Sequence, residues 1–248
     1  MGESGTHSSR TMMYEEIETL LRVTKMGVDL EEFSRQILEE NCLGKKTMAN
    51  RKHSLQKLRE LYGLDPAIPL FRIMRRLWGQ STESNRLIAL LMSLARDPLL
   101  RITVESVIHT TPGEEFLRKK MKDSLFDVLG DSMKETTIEK VVRNASASWT
   151  QSGHLIGRTR KFRQTVRPTP SACTFALILG YLMGKRGRSL FESPWTAVLD
   201  SSSDELIDMA FEAKRIGLLE LKQSGAFIDV SFPKLVLDID RELIHGTN

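Results

Sequence analysis

Acidic side chains are missing from one long interval of this 248-residue sequence: between Glu139 and Glu192 there is neither Asp nor Glu. The same interval holds Lys140, Arg143, Arg158, Arg160, Lys161, Arg163, Arg167, Lys185, Arg186 and Arg188. The whole chain carries a formal net charge of only +4, so its acids are concentrated elsewhere. Like charges crowded together repel in a compact state, and a fold gains nothing from that asymmetry. A polyanionic partner accounts for it. The alternative is that these cations pair in three dimensions with the acidic segments.

Other absences narrow the classes further. The two cysteines, Cys42 and Cys173, lie far apart and in no metal-ligand spacing, which suits a reducing, cytoplasmic setting. The five histidines are scattered, with no second His or Cys at ligand spacing. The longest apolar run, Ala172 to Gly184, is short of the roughly 20 residues that a membrane helix needs. No Gly-x-Ser-x-Gly elbow occurs, and no Gly-x-Gly-x-x-Gly follows a strand. Gly44-Lys45-Lys46-Thr47 resembles a phosphate loop, but Glu39 replaces its first glycine and Lys46 its Ser/Thr. The paired glutamates at 15–16, 31–32 and 39–40 point in different directions on helices. Nothing here assembles a catalytic site, so the expectation is a non-enzyme with no cofactor and no metal. Aromatics make up only 6% of residues and no RNP-like run is present, which argues against stacking on single-stranded RNA.

Apolar content of 40% and charged content of 27% describe an ordinary globular protein. Helical periodicity dominates, and the fold class expected is mostly α. Residues 1–10, rich in Gly and Ser with no apolar h-region, read as a flexible leader rather than a signal peptide. Residues 11–64 read as three helices: Thr11 to Met26, Leu30 to Glu40 behind an Asp29 N-cap, and a third capped by Thr47 that runs to Tyr62. The last two make a helix-turn-helix outline. Residues 65–152 form a helical middle with starts at Asp65-Pro66, Ser81 or Thr82, Asp97-Pro98, Thr111 to Glu114, and Thr136.

A helix-turn-helix places its second helix in a DNA major groove. From Asn41 to Arg59 there are no acids, but there are Lys45, Lys46, Arg51, Lys52, Lys57 and Arg59. Burying Met48, Leu55, Leu58 and Tyr62 projects Ala49, Asn50, His53, Gln56 and Lys57 outward. Arg51 falls near the buried side and is expected to pair with Glu39 or Glu40. Candidate nucleic-acid contacts here are therefore Lys45, Lys46, Asn50, His53 and Lys57.

Residues 153–170 lose the helical period and read as a long basic loop, a kind of connection that is functional or disordered in compact domains. Arg158, Arg160, Lys161, Arg163 and Arg167 are its candidate phosphate ligands, helped by backbone amides, Thr159, Gln164 and Thr165. Residues 171–248 read as a winged-helix-like region. Ser171 caps an apolar helix, Lys185, Arg186 and Arg188 make a basic turn, and two helices follow. A hairpin comes next, from Leu218 to Lys222 and Ala226 to Phe232, and then a terminal helix from Pro233 to Ile244. The helix in the recognition position, Ser203 to Ile216, carries Asp204, Glu205, Asp208 and Glu212, which suits a partner or packing surface better than phosphates.

Several of these stretches together resemble the BrxA family. They are Ile37-Leu38-Glu39-Glu40-Asn41 with Leu43 and Lys45-Lys46-Thr47, Gly153-His154-Leu155 through Arg163, and Arg167-Pro168-Thr169-Pro170. Ala176 to Leu182, Gly184 to Gly187, Leu190-Phe191 with Trp195, and Gly217-Leu218-Leu219 before Phe232 complete the likeness. It runs from about the first helix to the hairpin and is weakest between Asp65 and Lys134. The resemblance implies an accessory component of BREX, a bacterial system that marks host DNA by methylation and blocks phage replication. It implies a helical protein that binds double-stranded DNA, with other BREX proteins as further partners, and it supplies no catalytic residues. A protein–protein adaptor and an RNA-binding protein are the rival expectations.

Overall fold

Capping side chains fix where many of the helices begin. The computed structural model describes residues 5–225 and 227–237. Its helices are α1 (Tyr14–Val23), α2 (Leu30–Leu38), α3 (Met48–Tyr62), α4 (Pro69–Leu77), α5 (Thr82–Arg96), α6 (Pro98–Ile102), α7 (Val104–Ile108), α8 (Arg118–Leu129) and α9 (Glu135–Gln151), then α10 (Pro170–Leu182), α11 (Pro194–Ala197) and α12 (Ser203–Arg215). Two short antiparallel pairs accompany them among the described residues: β1 (Leu155–Ile156) with β2 (Phe162–Arg163), and β3 (Glu220–Ser224) with β4 (Phe227–Ser231). The mostly α class therefore stands. Asp29 accepts from the Glu32 amide and Thr47 from that of Asn50, each satisfying a first-turn N–H that has no partner within the helix. Ser202 and Glu205 form a reciprocal capping box on α12.

The chain divides into two compact units, residues 1–72 with 92–165 and residues 73–91 with 166–248. This is a different partition from the sequential segments expected at 64, 152 and 170, because α4 and α5 each give residues to both units.

In the first unit α9 is the central helix. It buries Ile138, Val141, Val142, Ala145, Ser146, Ser148 and Trp149. Trp149 donates its indole N–H to Thr103 Oγ1 at 2.8 Å and meets the His154 ring edge-on at 4.9 Å. α1, α2 and α3 contribute Ile17, Leu20, Phe33, Ile37, Leu58 and Tyr62 to the core. Phe33 packs edge-on against Phe71 at 5.6 Å.

Residues 5–10 are not a flexible leader. Thr6–Ser8 form a 3-10 turn in which Thr6 and His7 are buried. Polar residues read as disordered by composition, but here His7 finds partners on distant helices. The helix expected to start at Asp97-Pro98 is broken at Thr103 into α6 and α7. The helix expected to open at Thr111 starts only at Arg118. The preceding backbone is taken up by pairing: Gly113 N–H donates to Arg163 O, Arg163 N–H to Glu114 O, and Phe116 N–H to Lys161 O, at 2.8–2.9 Å.

In the second unit α10 is buried on all sides from Ser171 to Gly180, as expected for a helix without a polar face. Its N-cap is Thr169, not Ser171, with Pro170 at the first helical position, where its missing N–H costs nothing. α10 packs on α11 and α12. The hairpin after α12 buries Leu221, Ile228 and Val230, alternating with exposed residues, and sets Leu221 opposite Val230. Helix, short helix, helix and hairpin is the expected winged-helix order. β3 extends into Gln223 and Ser224, which were expected in the turn. The helix expected from Pro233 to Ile244 lies mostly outside the described residues.

Candidate nucleic-acid interface

α2, the turn and α3 make the expected helix pair in the first unit, and the turn is organised by Arg51. Its guanidinium donates to Leu38 O at 2.8 Å, capping an orphan carbonyl at the end of α2 rather than pairing with Glu39 or Glu40. Lys46 and Asn50 are exposed, and Lys46 makes no ion pair among the described residues. Lys45 is held at 2.9 Å by Glu16, Lys57 at 2.7 Å by Glu60, and His53 is half-buried. The outward face of α3 is therefore less cationic than its composition suggests.

The expected basic loop is partly a tight hairpin. β1 and β2 pair through Leu155 opposite Arg163 and Ile156 opposite Phe162. Gly157 makes the turn possible, since its φ is +108° and a Cβ there would stand 2.1 Å from Arg160 O.

This geometry sorts the loop's cations. Arg163 is 1% exposed and donates Nε–H to Val107 O at 3.0 Å and another N–H to Gln164 O. Lys161 is 8% exposed, with Nζ donating to Thr150 Oγ1 at 2.7 Å and Gly157 O at 3.2 Å. Burial, then the neighbouring Arg118, lowers the Lys161 ammonium below its usual range. Neither residue reaches a ligand phosphate, and both are withdrawn from the expected set. In a segment whose backbone is paired on two sides, the alternate side chains must turn inward, and long cations bury their stems where carbonyls meet their heads.

Arg160 is exposed but forked onto Glu115, whose hydrogen bonds hold the guanidinium above its usual range and depress the carboxyl. Its plane also lies over Phe162, 5.7 Å from the ring centre. Arg158 is exposed with no ion pair or hydrogen bond among the described residues. So are Lys140 and Arg143, one turn apart on α9, which motif reading left off the candidate set although both fall in the acid-free interval. Arg118, Lys119 and Lys120 on α8 are exposed as well.

In the second unit Arg167 and Lys185 are exposed and unpaired among the described residues. Arg186 lies flat on Tyr181, 3.6 Å from the ring centre, and donates to the carbonyls of Tyr181 and Lys185. Arg188 is bound by Asp204 at 3.0 Å and Glu192 at 3.5 Å. Here the acidic helix does supply one counterion, Asp204, as the alternative expected. Exposed pairs contribute little and exchange readily, so Arg160 and Arg188 are not fixed in the way Lys161 and Arg163 are.

Sequence reading also missed a buried constellation. His7 Nδ1 lies 2.7 Å from Asp97 Oδ2, and His7 Nε2 lies 2.8 Å from Ser148 Oγ. No spacing signal links positions so far apart in the chain. Among the described residues no group of His, Cys, Asp and Glu is arranged to hold a metal ion, and no helix is long and apolar enough to cross a membrane. A scan against protein-family models returns no match for this chain, and no curated protein matches it.

Proposed function

We propose that this chain is a non-catalytic DNA-binding accessory component of a BREX phage-defence system, acting in the cytoplasm and holding duplex DNA through its phosphates with little sequence preference. One observation carries the nucleic-acid reading. Within the acid-free interval, Lys140, Arg143 and Arg158 of the first unit and Arg167 and Lys185 of the second are exposed and unpaired among the described residues. Unneutralised cations standing in water repel one another and stabilise nothing, whereas each one placed on a phosphate releases a condensed counterion. The place in BREX rests on the resemblance to BrxA proteins alone. Duplex is favoured over single strands because base stacking needs aromatic platforms, and aromatics make up only 6% of the chain. The test is a titration against duplex DNA, single-stranded DNA and RNA over a salt series. A log–log slope near zero on duplex, or stronger binding to RNA hairpins, would remove the reading.

A second reading, an adaptor between BREX proteins, is favoured by α12. That helix and its C-cap expose Phe211 and Ile216 beside Asp208 and Glu212, a mixed apolar and acidic face that suits a protein partner better than a phosphate backbone. Capture of BREX partners that survives nuclease and is lost on Phe211→Asp would favour it.

A further inference from the structure

A cavity of about 440 Å³ opens in the first unit beside α3, lined chiefly by polar side chains: Arg10 ahead of α1, Glu16 on α1, Lys45 in the turn, Asn50 and Ser54 on α3, and Asn144 on α9. Its charges do not cancel. Lys45 and Glu16 neutralise one another at 2.9 Å, leaving Arg10 as the uncompensated cation. The Arg10 Nε is sealed from solvent yet has no hydrogen-bond acceptor, and the guanidinium makes no ion pair among the described residues. Ser54 is 2% exposed, and it lines the cavity. A half-buried cation without a partner is costly. Such a group lining a polar cavity marks a place where something from outside supplies the acceptor.

We propose that this cavity binds a nucleotide phosphate, with Arg10 as the anchor and Ser54 and Asn50 donating from successive turns of α3. A phosphoryl group has oxygens for all three donors, and Arg presents its N–H groups in a fork that matches them. The cavity is larger than a bare anion needs. Beyond the anion-binding groups it offers acceptors, the Glu16 carboxylate and the amide oxygen of Asn144, whose Nδ2 is already donating to His7 O at 2.9 Å. Those acceptors repel an isolated anion but meet the hydroxyl and amino groups of a sugar or base. The ligand is therefore a nucleotide, either free or as one unit of a DNA strand. This proposal goes beyond the duplex-DNA reading, because a free nucleotide would fill the cavity whether or not DNA binds elsewhere.

Adenosine monophosphate binding by calorimetry and short-duplex binding by anisotropy, at constant ionic strength, separate the two sources. Wild type is compared with Arg10→Met, Ser54→Ala and, as a control outside the cavity, Arg158→Glu. Loss of one charge-assisted contact set weakens binding by about tenfold to a hundredfold. A loss of that size for adenosine monophosphate in Arg10→Met, with a smaller one in Ser54→Ala, supports a free nucleotide. The same pattern for duplex only supports a strand unit. If Arg10→Met and Ser54→Ala leave both probes unaffected, the proposal is overturned, while a duplex loss in Arg158→Glu would leave the DNA reading standing. Nucleotide binding without any duplex binding would sink the DNA reading and keep this one. Ligand-free Arg10→Met is expected to melt no lower than wild type, since it loses a charge that has no partner. A fall of several degrees would assign Arg10 to the fold and overturn the proposal.

Discussion

His7 Nδ1 and Asp97 Oδ2 stand 2.7 Å apart in the interior of the first unit, and the same carboxylate oxygen accepts the His7 backbone N–H at 2.9 Å. With Ser148 Oγ at 2.8 Å from His7 Nε2, the order of bonds is that of a hydrolase triad. The likeness ends at access. His7 and Ser148 are 0% exposed, and Ser148 Oγ also accepts from the Met12 N–H and donates to Asn144 O. No substrate carbonyl reaches that oxygen, so the constellation is a staple that ties residues 5–12 to α6 and α9. His7→Ala is expected to lower the unfolding free energy by about 2–4 kcal/mol, the cost of leaving a buried carboxylate and hydroxyl short of partners. Urea unfolding checks this, and an unchanged midpoint would show that the segment contributes nothing.

Asp97 also sets a pH dependence. Burial pushes its carboxyl up, but the hydrogen bonds and charge of His7 and the amide of Leu100 outweigh burial and hold it below the usual Asp range. A depressed folded value means that the unfolded chain binds the proton more readily at low pH. Its stabilisation is therefore complete above the ordinary Asp value of about 3.9 and is lost as pH falls below that toward the folded value. Asp97→Asn should be less stable than wild type at neutral pH, with the gap narrowing below about pH 4. Parallel acid limbs for the two proteins would contradict this.

Much of the helical framework was legible because it is written in short-range signals. Asp29 and Thr47 mark their helix starts, Gly63 ends α3, and the alternation around Ile228 and Val230 marks β4. The failures have one physical cause, which is partnership across the chain. Lys161 and Arg163 look like surface cations in any window of sequence, yet they are buried because residues 113–116 pair with their backbone. His7 looks like a leader residue until Asp97 is beside it. Arg188 reads as free until Asp204 closes on it. Charge patterning placed a basic interval correctly but not the subset of its residues that faces water.

Arg163 separates a structural role from a nucleic-acid role. Arg163→Ala leaves the Val107 and Gln164 carbonyls without their donor and empties the volume of a fully buried side chain. A loss of about 3 kcal/mol is expected, in the range for breaking a buried polar network. Protein that remains folded should show an unchanged salt slope on duplex DNA. A stable variant with a reduced slope would return Arg163 to the interface.

The turn beneath Arg158 and Arg160 depends on Gly157. An alanine there combines left-handed backbone with a Cβ overlapping Arg160 O, so β1 and β2 would have to part. The expected cost is about 1–3 kcal/mol. Hydrogen exchange at the Gln164 amide, which donates to His154 O across that hairpin, should accelerate before that of α9. Equal protection in Gly157→Ala and wild type would show that the turn tolerates the extra methyl group.

Partnership within the protein should also rank the exposed cations on DNA. Each phosphate engaged contributes about 0.9 to the slope of log affinity against log salt on B-DNA. Arg158→Ala and Arg167→Ala remove cations with no internal partner, so each that sits on a phosphate should lower the slope by about that amount. Arg160→Ala and Arg188→Ala should lower it less. In free protein those guanidiniums are already shared with Glu115 and Asp204, and moving them to a phosphate uncovers a carboxylate near the strand. Glu115→Gln and Asp204→Asn should consequently tighten binding, because they release a cation and delete a repulsive charge together. Anisotropy titrations at several salt concentrations measure all six variants. If the paired and unpaired positions prove equivalent, the protein's own carboxylates do not govern which of its cations meet the duplex.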